Sequence, residues 1–118
     1  MRNLDLACAR LGSDIAGIAE LEEKTINAAL SVLEEQGIYA CFLYLQGREK
    51  KTGEEILKKL SDVIAQELSL DENRKPMAVA EKVSEDLDRL LFTRELLSRA
   101  MVYARHHLKA RSGSRAGS

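Results

Sequence analysis

The stretch QGIYACFLYLQGREKKTG, residues 36–53, decides the fold class of this chain. Its centre, residues 38–45, is apolar on nearly every side, and this pattern alone fits either a buried strand or a short buried helix. A lone strand would leave its backbone groups unpaired, and the flanking segments have helical patterns. We therefore predict a short central helix bracketed by Gly37 and Gly47, with a chain reversal at each glycine.

The composition of the chain also favours helices. Among 118 residues there are one proline and only five aromatic side chains, and Leu, Ala, Glu, Lys and Arg dominate. These residue types are good helix formers, and strand formers neither cluster nor alternate over a useful length. The length suits one domain with one hydrophobic core. We predict an all-α protein, a compact bundle of five to six helices within residues 1–110.

Apolar residues at spacings of three and four set the predicted helix bounds. The predicted helices cover residues 3–19, 22–36, 38–45, 53–69, 77–91 and 94–110. Thr52 and Glu55 have the spacing of a capping box for the fourth helix, and Thr93 is expected to cap the last one. Pro76 suits the first turn of the fifth helix. The low-complexity stretch RSGSRAGS, residues 111–118, is predicted to be a flexible tail.

The net charge of −1 conceals an uneven distribution. Residues 1–47 hold three basic and seven acidic side chains, whereas residues 89–118 hold seven basic side chains and the single carboxylate of Glu95. A basic end on a nearly neutral protein indicates a local acidic partner. Two other interpretations stay open: the acidic part folds against the basic part, or copies of the chain stack head to tail.

Two groups of cations are candidates for binding. The first, called here the 48–51 cations, is predicted on a glycine-bounded loop and consists of Arg48, Lys50 and Lys51. The second, called here the basic stripe, falls opposite the apolar side of the last helix at about 100° per residue and consists of Arg94, Arg99, Arg105 and Lys109. Rows of Arg and Lys can follow a nucleic-acid backbone without reading its bases. The alternatives are a solvated turn and a solvated helix face.

Signals for catalysis are absent from the sequence. His106 and His107 are adjacent, so on a helix they point about 100° apart and cannot hold one metal ion as an i, i+4 pair would. There is no HExxH, CxxC, Walker A or GxGxxG motif. Cys8 and Cys41 are interpreted as reduced, buried or half-buried thiols. We expect no enzyme activity and no metal or cofactor.

Targeting signals are also lacking. The first ten residues, MRNLDLACAR, carry charges where a signal peptide would need an apolar core. No apolar run approaches the roughly 18 residues of a membrane span. We therefore expect a cytoplasmic protein without membrane contact.

The order of these patterns resembles a known family. A helix ending in Gln36-Gly37-Ile38 leads into the apolar segment ACFLYLQG, a basic glycine-bounded segment, an amphipathic helix and finally LLFTRELLSRAMVYARHHLKA. This succession, over about residues 20–110, is similar to the small α-helical subunit of the Cmr complex, the type III-B CRISPR RNA-guided, RNA-targeting effector. Phe92-Thr93-Arg94-Glu95 fits the family's aromatic-Thr-x-Glu pattern. Gln36 replaces the family's Asn, and Val102 or Tyr103 replaces a Trp, so the small subunit of the related Csm complex is also compatible.

The resemblance implies a non-catalytic subunit in antiviral defence. Such subunits stack in more than one copy beside the backbone subunits that hold the guide RNA, and their basic surface lines the channel where guide and target RNA pair. The implied partners are backbone and large effector subunits, further copies of the chain, and guide and target RNA. The implied RNA-backbone contacts are Arg48, Lys50, Lys51, Arg94, Arg99, Arg105 and Lys109. The alternatives are a helical protein–protein adaptor that binds no nucleic acid and, less favoured, a helical-bundle enzyme.

Overall fold

The computed structural model describes residues 4–48, 50–70 and 74–116, with side chains as far as Arg111. Its elements are α1 Leu4–Ala16, α2 Glu23–Gln36, α3 Ile38–Arg48, α4 Lys50–Glu67, α5 Pro76–Ser84 and α6 Leu87–Ala116. The described ranges contain six helices and no strand, which confirms the prediction of an all-α bundle of five to six helices.

The short helix α3 lies in the middle of the bundle, as predicted. It packs against α2, α4 and α5. Its inward face is fully buried and consists of Ile38, Cys41, Phe42 and Leu45. Burial of a side chain of this size stabilises the folded state by about 1.5–3 kcal/mol. The opposite face is less buried than the sequence suggested, because Tyr39 is 43% exposed and Leu43 is 48% exposed.

Gly37 separates α2 from α3 in a single residue. Its φ is 99°, and its N–H donates to Leu33 O at 3.0 Å and to Val32 O at 3.2 Å. A positive φ carries little steric cost for glycine, so α3 can begin at once. The predicted cap at Gly37 is confirmed. The reversal predicted at Gly47 is wrong, because Gly47 lies inside α3.

The break between the two helices, called here the α3–α4 junction, comes after Gly47. α3 ends at Arg48, α4 begins at Lys50, and Lys50 has a φ of 45°. Most of the predicted loop is therefore helical. Thr52 lies within α4 rather than ahead of it, so the predicted capping box is wrong. Lys, Arg and Glu are good helix formers, so both helices extend into the segment that we expected to be a loop.

The start of α6 differs from the prediction as well. α5 ends at Ser84, and α6 begins after Asp86, whose Oδ1 accepts a hydrogen bond from the Arg89 N–H at 3.1 Å. This contact is an N-cap, which satisfies an N–H group that the first turn leaves unpaired. Thr93 is buried inside α6 and caps nothing, so the predicted cap is wrong.

The end of α6 extends further than predicted. Its backbone stays helical through Ala116, so most of the predicted tail over 111–118 belongs to α6, and residues 117 and 118 lie outside the described residues. The Arg111 Nη2 donates a hydrogen bond to Ala16 O at the end of α1. This bond holds the beginning of the extension against the bundle.

The first and last helices make the most extensive helix–helix contact in the bundle. A Cβ at Gly12 would lie 2.5 Å from Tyr103 Cβ and 2.8 Å from Ala100 O, so only glycine fits between the two backbones. One turn earlier, the Cys8 thiol donates to Leu96 O at 3.6 Å. Together with the contact at the end of α1, these positions show that α1 and α6 run in the same direction.

Candidate nucleic-acid interface

The basic stripe lies on the solvent side of α6. Arg94, Arg99 and Lys109 are exposed and Arg105 is half-buried. The opposite side of the helix is buried in the core and consists of Leu97, Ala100, Met101, Ala104 and Leu108. The two-sided character that helical periodicity predicted for this helix is therefore confirmed.

Three cations of the basic stripe contact α2. The pairs are Arg94 Nη2 to Glu34 O at 2.8 Å, Arg105 Nη1 to Asn27 Oδ1 at 3.3 Å, and Lys109 Nζ to Glu23 Oε1 at 3.6 Å. As the residue numbers rise on α6 they fall on α2, so the two helices are antiparallel. The Glu34 carbonyl and the Asn27 amide oxygen accept hydrogen bonds, whereas the Glu23 carboxylate forms an ion pair.

The fourth cation, Arg99, contacts α1 and its own helix. Its Nε donates to Glu95 Oε1 at 2.7 Å, and its Nη1 lies 3.9 Å from Asp5 Oδ1. The hydrogen bond to Glu95 raises the pKa of Arg99 above its ordinary value. The Tyr103 hydroxyl donates to the same Asp5 carboxylate, 3.0 Å from each oxygen, and this bond raises the pKa of Tyr103.

These contacts partly neutralise the basic stripe within the chain. Acidic side chains of the first two helices, Asp5 and Glu23, lie beside the cations Arg99 and Lys109. The uneven charge distribution left several interpretations open. These contacts fit the one in which the acidic part of the chain folds against the basic part. Exposed ion pairs of this kind contribute about 0–1 kcal/mol, so a ligand of higher charge density can compete for the cations.

The 48–51 cations have a different environment. Arg48, Lys50 and Lys51 are all exposed, and within the described ranges none of them pairs with a carboxylate. The first turn of α4 contains no acidic residue. Among the described residues, no carboxylate of this turn offsets the positive end of the α4 dipole.

An aromatic ring lies beside this group. The Arg48 Cζ is 6.0 Å from the centroid of the Tyr44 ring, one helical turn earlier on α3. Tyr44 is half-buried against the core. Sequence analysis did not identify Tyr44 as part of a site. The available signal was the i, i+4 spacing of an aromatic residue and an arginine, which brings the two side chains together on a helix.

The structure does not bring the two cationic groups into contact. The described contacts of the basic stripe are with α1, α2 and α6 itself, whereas the 48–51 cations lie at the junction of α3 and α4. All seven candidate residues are thus accessible or nearly so. Among the described residues, three lack an ionic partner and four have an acceptor nearby.

Both cysteines are buried and free. Burial raises the pKa of the Cys41 thiol to about 12 and also raises that of Cys8. The Cys41 Sγ lies 3.4 Å from Ala29 O, to which it donates. Because the reactive form of cysteine is the thiolate, neither side chain is activated as a nucleophile at neutral pH.

The remaining described surface includes a shallow pocket. The pocket, about 370 Å³, lies between α1 and α6 and is lined by Asp5, Arg99, Tyr103 and His106 among others. Over the part of the chain that the structure describes, no three His, Cys, Asp or Glu side chains group as metal ligands. Over the same part, no helix is long and apolar enough to cross a membrane.

Comparison with known proteins adds no relative. No protein-family model, no curated protein and no solved structure matches this chain. A function is therefore inferred from the residues themselves and from the resemblance of the sequence to CRISPR small subunits.

Proposed function

We propose that this chain is a non-catalytic, RNA-backbone-binding small subunit of a type III CRISPR ribonucleoprotein. In this proposal it acts in the cytoplasm, in antiviral defence, with backbone and large effector subunits, further copies of itself, and guide and target RNA. The observation that supports RNA binding is the group of 48–51 cations, which is exposed and lacks a described carboxylate partner. The kind of assembly is suggested by the sequence resemblance alone.

The chemistry of the 48–51 cations suits a phosphate backbone. The guanidinium of Arg48 can bind a phosphate through two hydrogen bonds, and the ammonium groups of Lys50 and Lys51 add compact charges. Backbone contacts of this kind position an RNA without reading its sequence. Their strength depends on salt, because binding releases counterions from the RNA.

The basic stripe has a secondary role in this proposal. Its cations already contact acceptors on α1 and α2, so an RNA must replace those contacts before it gains new ones. Each replaced surface pair costs about 1 kcal/mol or less. Avidity within an assembled complex offsets such a cost, since the RNA is already held by neighbouring subunits.

A helical protein–protein adaptor is the second candidate, and a specific observation favours it. Leu87 is 68% exposed and Leu91 is 55% exposed, one turn apart on the same side of α6. Exposed apolar pairs of this kind are typical of surfaces that bind a partner helix. An adaptor would use these leucines and would not require the 48–51 cations.

A charge-reversal experiment tests RNA binding directly. Lys50→Glu with Lys51→Glu should lower the affinity for an unstructured RNA at low salt by at least about tenfold and reduce the slope of log affinity against log salt by about two. The matched control is Lys58→Glu with Lys59→Glu, which makes the same charge change further along α4. Fluorescence anisotropy at several salt concentrations measures both quantities. Equal losses in the two double variants would show that net charge, and not the α3–α4 junction, determines binding.

Affinity purification from the native cell tests the assembly. Recovery of short RNAs with a common repeat-derived 5′ tag, together with larger RNA-binding subunits, is the expected result. Recovery of a single protein partner without RNA would support the adaptor, and Leu87→Ser with Leu91→Ser should then abolish that recovery.

A further inference from the structure

We propose that Tyr44 and the 48–51 cations form a stacking site for an unpaired base, so that the RNA bound at the α3–α4 junction is single-stranded there. This inference depends on the proposed function, because it specifies the form of RNA that the same site binds.

The first support is the placement of the Arg48 guanidinium. It lies over the Tyr44 ring, with 6.0 Å between Cζ and the ring centroid. Tyr44 packs partly against the core and so fixes the platform beneath the arginine. Arg48 itself is exposed. The guanidinium is therefore within cation–π range of the ring. Because the arginine is also exposed, its planar group is available for a base to stack on.

The second support is chemical. Unpaired bases in RNA complexes stack on aromatic side chains and on guanidinium planes, and the contact tolerates any base because every base has a flat face. An arginine already held over a ring loses less side-chain freedom when a base stacks on it than a free arginine would lose. Bases inside a duplex are stacked on one another and present no free face along its length.

The third support is the position of the two lysines. Lys50 follows Arg48 by two residues, so their Cα atoms lie at most about 7 Å apart. Lys51 comes next, and both ammonium groups are exposed. The phosphate groups of a nucleotide whose base stacks on Arg48 are then within reach of these two long side chains. Stacking and backbone contacts combine at one place, as they do in other single-strand binding sites.

Three probes of equal length separate stacking from charge: an oligouridine, the corresponding abasic ribose-phosphate oligomer and a blunt RNA duplex. The wild-type protein at low salt should bind oligouridine about tenfold more tightly than the abasic oligomer. Arg48→Lys keeps the charge and removes the planar group. In this variant the affinity for oligouridine should fall to the affinity for the abasic oligomer. A lost phosphate contact lowers both affinities alike, so the ratio of the two affinities reports stacking.

A spectroscopic measurement provides a second readout. An oligouridine with one 2-aminopurine should lose fluorescence on binding to the wild-type protein, because stacking quenches this base, and should keep it on binding to Arg48→Lys. Tyr44→Leu should behave like Arg48→Lys. Tyr39→Ala is the matched control, since Tyr39 is an exposed tyrosine of the same helix without a described contact to Arg48. Binding to this variant should quench the 2-aminopurine fluorescence as binding to the wild-type protein does.

Each outcome distinguishes the two proposals. If the wild-type protein binds oligouridine and the abasic oligomer equally, or if Arg48→Lys still quenches 2-aminopurine, the stacking site is overturned and backbone binding stands. If no probe binds at low salt, the proposed function fails and the stacking site fails with it. If Tyr44→Leu does not fold, the 2-aminopurine result with Arg48→Lys still shows whether the stacking site exists.

Discussion

The basic stripe on α6 and the 48–51 cations contain the same residue types, but their surroundings are opposite. The stripe cations each contact an acceptor, three on α2 and one shared between α1 and α6. The 48–51 cations have no such partner among the described residues, and an aromatic ring lies beneath one of them. A count of charges along the sequence therefore cannot separate cations that bind within the fold from cations that are available to a ligand.

The difference arises from where each group lies in the bundle. α6 runs along the acidic helices α1 and α2, so its cations acquire partners from across the interface. The α3–α4 junction has the basic residues Arg48 and Lys50 on its two sides. The cations of the basic stripe therefore bind acceptors within the fold, whereas the 48–51 cations have no described carboxylate partner and are available to a ligand.

The largest effect is expected from breaking the contact that holds α6 beside α1. Gly12→Ala places a Cβ 2.5 Å from Tyr103 Cβ, and the backbone of α6 at Ala100 leaves no room for it. We expect a loss of about 2–3 kcal/mol in the free energy of unfolding, measured by urea denaturation. The matched control is Gly47→Ala, since Gly47 is helical and a Cβ there meets nothing within 4 Å. It should stabilise the protein by about 0.5–1 kcal/mol. Equal effects at the two glycines would contradict the close helix packing.

The next effect separates charge from backbone conformation at the junction. Lys50 has a φ of 45°, which costs about 1 kcal/mol for a residue other than glycine or asparagine. Lys50→Gly should leave the melting temperature unchanged or raise it, and it should weaken RNA binding about fivefold through the lost charge. Lys50→Asn should do the same. Weakened binding accompanied by a lower melting temperature would indicate that the variant acts through the fold.

A smaller effect tests whether α1 and α2 restrain the basic stripe. Asp5→Asn with Glu23→Gln removes the carboxylates beside Arg99 and Lys109. The RNA affinity should rise by a factor of about two to five, since the lost pairs contribute at most about 1 kcal/mol each. Asp14→Asn with Glu81→Gln makes the same charge change at exposed sites elsewhere and should raise affinity less. If the RNA affinity rises equally in both variants, Asp5 and Glu23 do not specifically restrain the basic stripe.

The smallest effect depends on pH. The bond to Asp5 raises the pKa of Tyr103, so its contribution to stability is complete below the unfolded value of about 10 and is lost as the pH rises through the folded value. The difference in melting temperature between the wild-type protein and Tyr103→Phe should therefore be constant near neutral pH and shrink above pH 10. A difference that persists at higher pH would show that the hydroxyl proton is not involved.

Much of the fold could be predicted because it depends on local pattern. The apolar surface of residues 38–45 and the helical character of its neighbours were sufficient to identify α3 as a central helix. Helix ends were harder to predict. Thr52 and Thr93 have the chemistry of caps but lie inside helices, while Asp86 caps α6. A short polar side chain can occupy either a cap position or a position inside a helix. The surrounding packing determines which of the two it takes.

The candidate site was less predictable because its contacts are between distant parts of the chain. Periodicity placed the basic stripe on the outer side of α6, but the partners of Arg94 and Tyr103 lie 60 and 98 residues away in the sequence. Gly12 illustrates the same limit. Within its own helix it indicates only a weakened segment, and its role as a point of close contact with Ala100 becomes visible once α6 is in place.

The pairing of the first helix with the last has a consequence for biosynthesis. Of the six described helices, α1 leaves the ribosome before the others, and its main neighbour α6 is made after the other five. At translation rates of about 5–20 residues per second, synthesis from the end of α1 to the end of α6 takes roughly 5–20 s. During that interval the apolar side of α1, including Leu11 and Ile15, lacks the surface that buries it in the finished protein. A chain that stops before α6 would therefore expose this apolar surface to solvent, and we expect it to aggregate rather than to fold as a smaller bundle.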